Sequence, residues 1–531
     1  MPPDLRPDVT GRPLDSTHGA AAPSRSDMLR CDRVAIGLAL LTVLFHVATA
    51  RGYGVFRDEL YYLACADHLD WGYVDHPPLV AVVLWVVRHI LGTSLFAIRL
   101  VPALAAGIVV WLTAAITRRF GGGRTAQFLA GLAVALAPQY VGMFSIYSLN
   151  AIDMVFWAAL LLVVTWILEQ DDRGMWLVFG ALAGLGLQNK LSVIFLGFGV
   201  AVGLVAARQW RHLRDWRLWA GAGLALLIFA PHVAWQTAHG WPTLEFMRRA
   251  TETKNLATSP VEFIGQQILL MNPLALPLWL GGLVWLLAGT TGRRFRTIAI
   301  AYLTVLALML TQNAKAYYLT PAYPPLLAAG AVLITGWASR PRLKWLPAAA
   351  IVAVALSGAL LAPFGKPLLP VETYVRYAAA VGMGPRTEER HEMGRLPQYF
   401  ADMHGWPELA QAVAAVHRGL PSADRVGSCV FGQNYGEAGA IDHFGPALNL
   451  PRAISGHNSY WLWGTDGCTG DVLIVIGGHR EDHLRAYASV EAAGRFVCHD
   501  CMPYENNLTL WVARLPRRPL AEIWPGTKHF D

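Results

Sequence analysis

The stretch Arg57-Asp58-Glu59-Leu60-Tyr61-Tyr62, followed by Val74-Asp75-His76-Pro77-Pro78-Leu79, decides how the rest of the chain is interpreted. It comes directly after the first long apolar run, where a chain would leave a membrane. Carboxylates are costly next to lipid and are usually placed there for function. The segment therefore predicts a membrane protein with a chemically active loop at one surface.

The composition agrees with a membrane protein. Of 531 residues, 54% are hydrophobic and 15% charged, whereas soluble domains carry about 25% charged residues. Apolar runs of roughly twenty residues recur from Arg33 to Phe364, which indicates a polytopic protein. Basic cytoplasmic loops account for the net charge of +7, and no basic patch interleaved with aromatic residues points to a nucleic acid partner.

The distribution of arginines predicts the topology. If the N-terminus is cytoplasmic and the first span is an uncleaved anchor, Arg118, Arg211, Arg293 and Arg342 fall inside. This parity requires residues 79–91 to form an interfacial amphipathic helix and not a span. The expected fold class is a mainly α polytopic membrane protein with about eleven transmembrane helices, within about ten to thirteen, and a C-terminal extracytoplasmic α/β domain.

Three segments follow from this pattern. Residues 1–32 are expected to be a disordered cytoplasmic tail, residues 33–364 the transmembrane domain with an outer loop at 51–95, and residues 365–531 the α/β domain. Strands are predicted at 426–431, 472–476 and 508–513, and helices at 407–416 and 481–489. Cys429, Cys468, Cys498 and Cys501 of this domain are expected to form disulfides or remain free thiols, in preference to a zinc site.

Asp58 and Glu59 are the first candidates for chemistry. They are either solvated loop acids that pair with Arg57, or a general base with an assisting carboxylate and possible room for a divalent metal. Arg57, Tyr61 and Tyr62 are candidate substrate contacts, and partial desolvation among the aromatic side chains would make a carboxylate more basic.

Two lysines form a second candidate group. Lys190 and Lys315 lie on the predicted outer face, against the positive-inside bias. Each is either an ordinary interfacial lysine or a cation that neutralises a phosphate leaving group. Asp153 is either a helix cap or a substrate contact, and His76 is favoured as a structural residue beside Pro77-Pro78 over a substrate or metal contact.

In the α/β domain, Tyr435, Glu437 and His457 could touch an acceptor. We predict no resident metal ion. The one alternative kept open is a divalent metal bound at Asp58 and Glu59.

Four motifs in order resemble a known family. They are the acidic pair after the first span, Pro77-Pro78-Leu79, Asn189-Lys190, and Lys315 followed by Tyr317-Tyr318 and Pro321. The region 33–333 resembles the GT-C glycosyltransferases of the family 39-like branch, which includes protein O-mannosyltransferases, lipid A aminoarabinose transferases and core galacturonosyltransferases. Asn-Lys-Leu at 189–191 departs from the Thr-Lys-Gly of the aminoarabinose branch, so the acceptor stays open.

The resemblance implies transfer from a polyprenyl-phosphate-linked sugar donor to an envelope glycolipid, glycan or protein, at the outer face of a bacterial inner membrane. It implies that Asp58 is the catalytic acid residue of the first loop, and that Lys190, Lys315 and Tyr318 lie near the donor phosphate. The alternatives are a polytopic transporter or flippase, which would place its charges near the bilayer midplane, and a non-catalytic sensor or scaffold.

Overall fold

The computed structural model describes residues 25–254, 258–312, 314–385 and 392–531. Most of the predicted tail, residues 1–24, lies outside this range, although residues 25–32 are ordered and begin with the 3₁₀ turn Arg25–Leu29. The helices of the apolar body are α1 (Arg33–Ala48), α2 (Arg57–Asp67), α3 (Leu79–Leu91), α4 (Leu95–Arg119), α5 (Arg124–Ala135), α6 (Pro138–Met143), α7 (Leu149–Gln170), α8 (Met175–Leu187), α9 (Val193–Ala206), α10 (Trp210–Leu213), α11 (Trp216–Ala238), α12 (Pro242–Arg249), α13 (Pro260–Leu270), α14 (Leu276–Ala288), α15 (Arg296–Thr311), α16 (Pro324–Trp337) and α17 (Leu346–Gly365).

Within the described residues, five helices are long and apolar enough to cross a membrane, or up to seven if two bent pairs each count as one span. The bent pairs are α13 with Pro273–Ala288, at 95°, and the 3₁₀ helix Ala316–Ala322 with α16, at 58°. The predicted count of about eleven also needs the shorter apolar helices α1, α8 and α9 and the broken pair α5 and α6. That count stays a prediction.

Ion pairs gather the basic loops at one end of the helical body. Arg25 pairs with Asp172 at 2.8 Å, Arg119 with Glu169 at 3.3 Å, and Arg211 with Asp171 at 3.2 Å. The ends of α4, α7 and the loop before α11 therefore share one surface. The predicted site residues lie at other helix ends, as described below.

The C-terminal part is an α/β unit. Its helices are α18 (Val371–Ala380), α19 (Gln398–Ala401), α20 (Trp406–Gly419), α21 (Ser422–Val426), α22 (Tyr435–Phe444), α23 (Ser459–Trp463), α24 (Arg480–Ala486) and α25 (Leu520–Ile523), and its strands are β1 (Ser428–Gly432), β2 (Ala453–Ser455), β3 (Val472–Ile476), β4 (Tyr487–Phe496) and β5 (Leu508–Pro516). The sheet order is β2-β1-β3-β5-β4. Strands β2, β1 and β3 are parallel, and β5 runs antiparallel between β3 and β4.

Both faces of the sheet are covered. Val430, Ile474 and Val512 pack on one face with α20 and α22, while Leu473 and Ala513 pack on the other. All five residues of β3 are buried, as expected for a central strand between two apolar layers. The cysteines form Cys429–Cys468 and Cys498–Cys501, which confirms the disulfide interpretation.

One predicted element is wrong. The expected helix at 481–489 ends at Ala486, because Tyr487, Ser489 and Val490 pair with β5 in the sheet. The short strand β2 gave no sequence signal, since three residues are too few to show an alternating pattern.

Candidate active site

Asp58 lies in the first turn of α2 and keeps 36% of its side chain exposed. The Tyr435 hydroxyl donates to its Oδ1 at 2.8 Å, and Arg57 Nε lies 3.9 Å from the same oxygen. No hydrogen bond to Oδ2 is present within the described part of the chain. Asp58 is therefore an accessible carboxylate with one oxygen held and the other available to a ligand, which is the geometry a general base requires.

Glu59 has a different environment, with no solvent exposure. Arg99 binds it bidentately, with Nη2–Oε2 at 2.7 Å and Nε–Oε1 at 2.9 Å. The backbone N–H groups of Phe56 and Tyr147 donate to its two oxygens at 2.9 and 2.8 Å. Glu59 shares no partner with Asp58. These contacts favour a structural role, and the assisting role and the divalent metal at this pair stay predictions.

Arg57 faces the α/β unit. Its Nη1 donates to the Tyr504 hydroxyl at 2.6 Å, Nη2 lies 3.8 Å from Asp402 Oδ2, and the guanidinium stacks over the Tyr435 ring at 5.3 Å. The predicted pairing with Asp58 is thus one contact among several. Arg57 joins α2 to the C-terminal unit.

Tyr61 and Tyr62 are buried in an aromatic cluster with His76. The Tyr61 hydroxyl donates to Asp75 Oδ1 at 2.8 Å and lies 2.7 Å from the Ser459 hydroxyl. His76 Nδ1 lies 2.8 Å from the Pro77 carbonyl oxygen, and its ring contacts those of Tyr61 and Tyr62. His76 thereby shapes the turn before α3, as the structural interpretation expects. Asp75 is a further carboxylate of this surface that the sequence reasoning did not select.

Lys190 and Tyr318 come together although 127 residues separate them in the sequence. Lys190 Nζ donates to Asn150 Oδ1 at 2.6 Å, lies 3.9 Å from Asp153 Oδ2, and sits 5.0 Å from the centre of the Tyr318 ring. The buried Asp153 accepts hydrogen bonds from the Ser192 hydroxyl at 2.6 and 2.7 Å. The Lys190 ammonium group is thus held by a polar side chain, a carboxylate and an aromatic ring. Asn150 and Ser192 belong to it and were missed, since neither stands out as an isolated polar residue.

Lys315 is the residue before the turn Ala316–Ala322, on which Tyr318 lies, and it is half-buried. Glu59, the neighbour of Asp58, and Lys190 bind the same segment. The N–H of Tyr147, two residues before α7, donates to Glu59, and Asn150, the second residue of α7, accepts from Lys190. The two candidate groups therefore occupy the same end of the helical body.

Among the residues with described positions, one group of three has metal-ligand character, namely His457, His529 and Asp531. His457 Nδ1 accepts a hydrogen bond from the Tyr435 N–H at 3.3 Å, so its proton is on Nε2, which faces the Asp531 carbonyl at 3.0 Å. Both ring nitrogens of His529 lie 3.0 Å from carbonyl oxygens, of Thr527 and Gln433. His457 Nε2 also lies 3.3 Å from Asp531 Oδ1, so the three residues form a hydrogen-bonded cluster.

Glu437, which was predicted to touch an acceptor, is a residue of α22 and is instead buried beside Glu505. The Gln433 N–H donates to Glu437 at 2.5 Å, and Asn434 Nδ2 donates to Glu505 at 2.8 Å. Burial, and then the neighbouring Glu505 carboxylate, raise the pKa of Glu437 well above its ordinary value. Burial raises the pKa of Glu505 as well.

Comparison with known proteins identifies the fold of this chain. The family model of dolichyl-phosphate-mannose-protein mannosyltransferases matches residues 75–235. The fold is similar to ArnT from Cupriavidus metallidurans, solved bound to undecaprenyl phosphate and in the apo state, with TM-scores of 0.59 and 0.60 at 15% identity, covering 90% of this chain and 97% of ArnT. The chain has the GT-C fold of membrane glycosyltransferases.

Two proteins from Rhizobium johnstonii are similar to this chain in sequence. The chain is 26% identical over 273 residues to the lipid A galacturonosyltransferase RgtD, which covers 49% of this chain and 56% of the relative. It is 27% identical over 236 residues to the lipopolysaccharide core galacturonosyltransferase RgtB, which covers 43% and 46% respectively. The chain thus spans about half the length of the curated relatives it matches.

Proposed function

We propose that the protein is an integral-membrane glycosyltransferase that moves a sugar from a polyprenyl-phosphate donor to a hydroxyl of an envelope glycolipid. The observation that carries the proposal is Asp58, an accessible carboxylate of the first loop in a GT-C fold, at the same end as the Lys190 and Tyr318 cluster. The names of RgtD and RgtB favour galacturonate as the sugar and lipid A or the lipopolysaccharide core as the acceptor. The undecaprenyl phosphate bound to ArnT favours a polyprenyl carrier.

The proposed reaction is a single displacement with inversion. Asp58 Oδ2 takes the proton of the acceptor hydroxyl, whose oxygen attacks the anomeric carbon of the sugar. The bond from that carbon to the phosphate oxygen breaks, and polyprenyl phosphate leaves with the electron pair. Lys190 and Lys315 offset the charge of the leaving group. No general acid is needed, since a phosphate monoester anion is already a competent leaving group.

The proposed location is a bacterial inner membrane, with the site and the α/β unit facing outward. The gathering of Arg25, Arg119 and Arg211 at one end of the body supports this orientation, because basic loops stay in the cytoplasm.

The test is a transfer assay on the purified protein in lipid nanodiscs, with polyprenyl-phosphate galacturonate and lipid A or core acceptors. Asp58→Asn keeps the size of the side chain but removes its basicity, and transfer should fall by about 10²–10⁴-fold. Asp67→Asn is the matched control, because Asp67 lies on the same helix but pairs with Arg88 at 2.7 Å. Full transfer by Asp58→Asn would contradict the base assignment, and no transfer by the wild type from any polyprenyl-phosphate sugar would contradict the activity.

A further inference from the structure

Tyr435 reaches Asp58 from the C-terminal unit. It is the first residue of α22 and is 7% exposed. Asn434 caps the helix, accepting from the N–H groups of Gly436 and Glu437 at 2.8 and 3.1 Å. The Tyr435 ring lies between those of Tyr61 and His457, with centroids 4.8 and 4.7 Å away. The hydroxyl is therefore directed at Asp58 by a ring that packing holds on both sides.

The backbone of α22 is pressed against α2. A Cβ atom at Gly436 would lie 2.5 Å from Arg57 Cγ, and one at Gly439 would lie 2.9 Å from Leu60 Cβ. Glycine at both positions lets the two helices approach closely. The contact from Tyr435 to Asp58 is thus part of a closely packed interface between α2 and α22.

The charged and titratable groups around Asp58 are few. Arg57 lies beside it on α2, while Tyr62 of α2 and Asp75 of the next loop act on the same region. Burial, with the nearby Asp58 and Asp75 carboxylates adding to it, raises the pKa of the Tyr435 hydroxyl well above its ordinary value despite Arg57. Tyr435 consequently remains a hydrogen-bond donor wherever Asp58 is ionised.

We propose that Tyr435 is a positioning residue for the proposed transfer, whose hydroxyl fixes the rotamer of Asp58 by holding its Oδ1. With Oδ1 held, Oδ2 faces the acceptor hydroxyl. The proton taken from the acceptor goes to Oδ2, and the hydrogen bond from Tyr435 to Oδ1 persists through the step. This inference rests on the proposed function and makes the α/β unit part of the active site.

The experiment compares Tyr435→Phe with Tyr460→Phe. Tyr460 is the matched control, because it is a buried tyrosine of the same unit whose hydroxyl donates to another carboxylate, Asp442, at 2.7 Å. Loss of a hydrogen bond to a charged group costs a factor of about ten, so kcat of Tyr435→Phe should fall roughly tenfold while KM for the donor is unchanged. A residue that only stabilised the fold would not lower kcat at an unchanged KM. Tyr460→Phe should not show this change.

A double-mutant cycle gives a readout that does not need activity. Thermal unfolding of Tyr435→Phe, Asp58→Ala and the double variant should show a coupling between the two positions, since each single change removes the same hydrogen bond, whereas Asn at position 58 would keep an acceptor. Additive effects would overturn the contact itself. A coupled pair with an unchanged kcat in Tyr435→Phe would overturn the positioning role and leave the proposed function standing. Full transfer by Asp58→Asn would remove the base assignment and the role of Tyr435 with it.

Discussion

At the scale of single residues, Asp58 and Glu59 are neighbours with opposite environments. Glu59 receives two hydrogen bonds from Arg99 and two from backbone N–H groups, all within a buried site. Asp58 has one hydroxyl donor and remains partly exposed. Adjacent positions on a helix point about 100° apart, so one acid enters the interior while the other stays at the surface.

Glu59→Gln tests the structural role. The substitution leaves Arg99 buried without its counter-charge, and breaking a buried ion pair costs about 3–5 kcal/mol. We expect a lower yield of folded protein and a clearly lower unfolding temperature, measured by scanning fluorimetry in detergent. Asp58→Asn is the comparison and should unfold close to the wild-type temperature. Normal stability of Glu59→Gln, with transfer lost, would instead favour the catalytic role.

Lys190→Ala tests the donor contact. It removes a cation worth about 1.5–3 kcal/mol to a charged partner, so donor use should fall tenfold or more in steady-state assays, with membrane insertion intact. Lys344→Ala, a lysine in the 340–344 loop predicted to face the cytoplasm, is the control and should behave as wild type. Unchanged donor kinetics in Lys190→Ala would refute the phosphate role.

At the scale of elements, the outer loop at residues 51–95 folds into the two helices α2 and α3. Its helix α2 packs below α22, and α3 lies beside α2 and α4 with Trp85 and Ile90 on an exposed apolar side. The position of α3 at the membrane interface stays a prediction. The packing of α2 against α22 brings the Tyr435 hydroxyl to Asp58.

Cysteine accessibility on intact cells tests this arrangement. A single cysteine at position 211 should remain unlabelled by an impermeant reagent, because it lies among the ion pairs that join the basic loops. A cysteine at position 426, in an exposed part of the α/β unit, should react strongly. Strong labelling at 211 would reverse the orientation and refute the outward site.

The sequence predicted helix boundaries correctly where proline or glycine residues mark the ends of a helix. Residues 79–91 were predicted as one helix, which agrees with α3, since Pro77-Pro78 and Gly92 bound it. The bends were missed because a run of apolar residues looks the same whether it is straight or broken. The contact between Lys190 and Tyr318 was expected only as a shared function, and the one between Asp58 and Tyr435 was not expected, because local patterns carry no information on pairing across hundreds of residues.

At the scale of the whole molecule, the contact between the helical body and the α/β unit contains ionisable groups. Glu437 and Glu505 are buried side by side, 2% and 3% exposed, under the helix that carries Tyr435. The raised pKa of Glu437 means that the folded state holds a proton that the unfolded chain loses at lower pH. Stability from this group is therefore complete below the ordinary range of a glutamate and is lost as pH rises through the raised value.

Thermal unfolding as a function of pH checks this prediction. The unfolding temperature of the wild type should decline as the pH rises above the ordinary range of a glutamate, and Glu437→Gln should flatten the decline because it mimics the protonated form. Glu491→Gln, an exposed residue of β4, is the control and should follow the wild type. Identical slopes in Glu437→Gln and wild type would show that the carboxyl pair does not bind the extra proton.

The hydrogen bond between Asp58 and Tyr435 joins residues 377 positions apart. A ribosome adds about 5–20 residues each second, so roughly 20–75 s pass between the synthesis of the acid and that of its partner. During that interval the first loop is already at the membrane surface while its carboxylate lacks the hydroxyl that holds it. In the proposed mechanism, a nascent chain therefore carries the base without its positioning residue until residue 435 has been added.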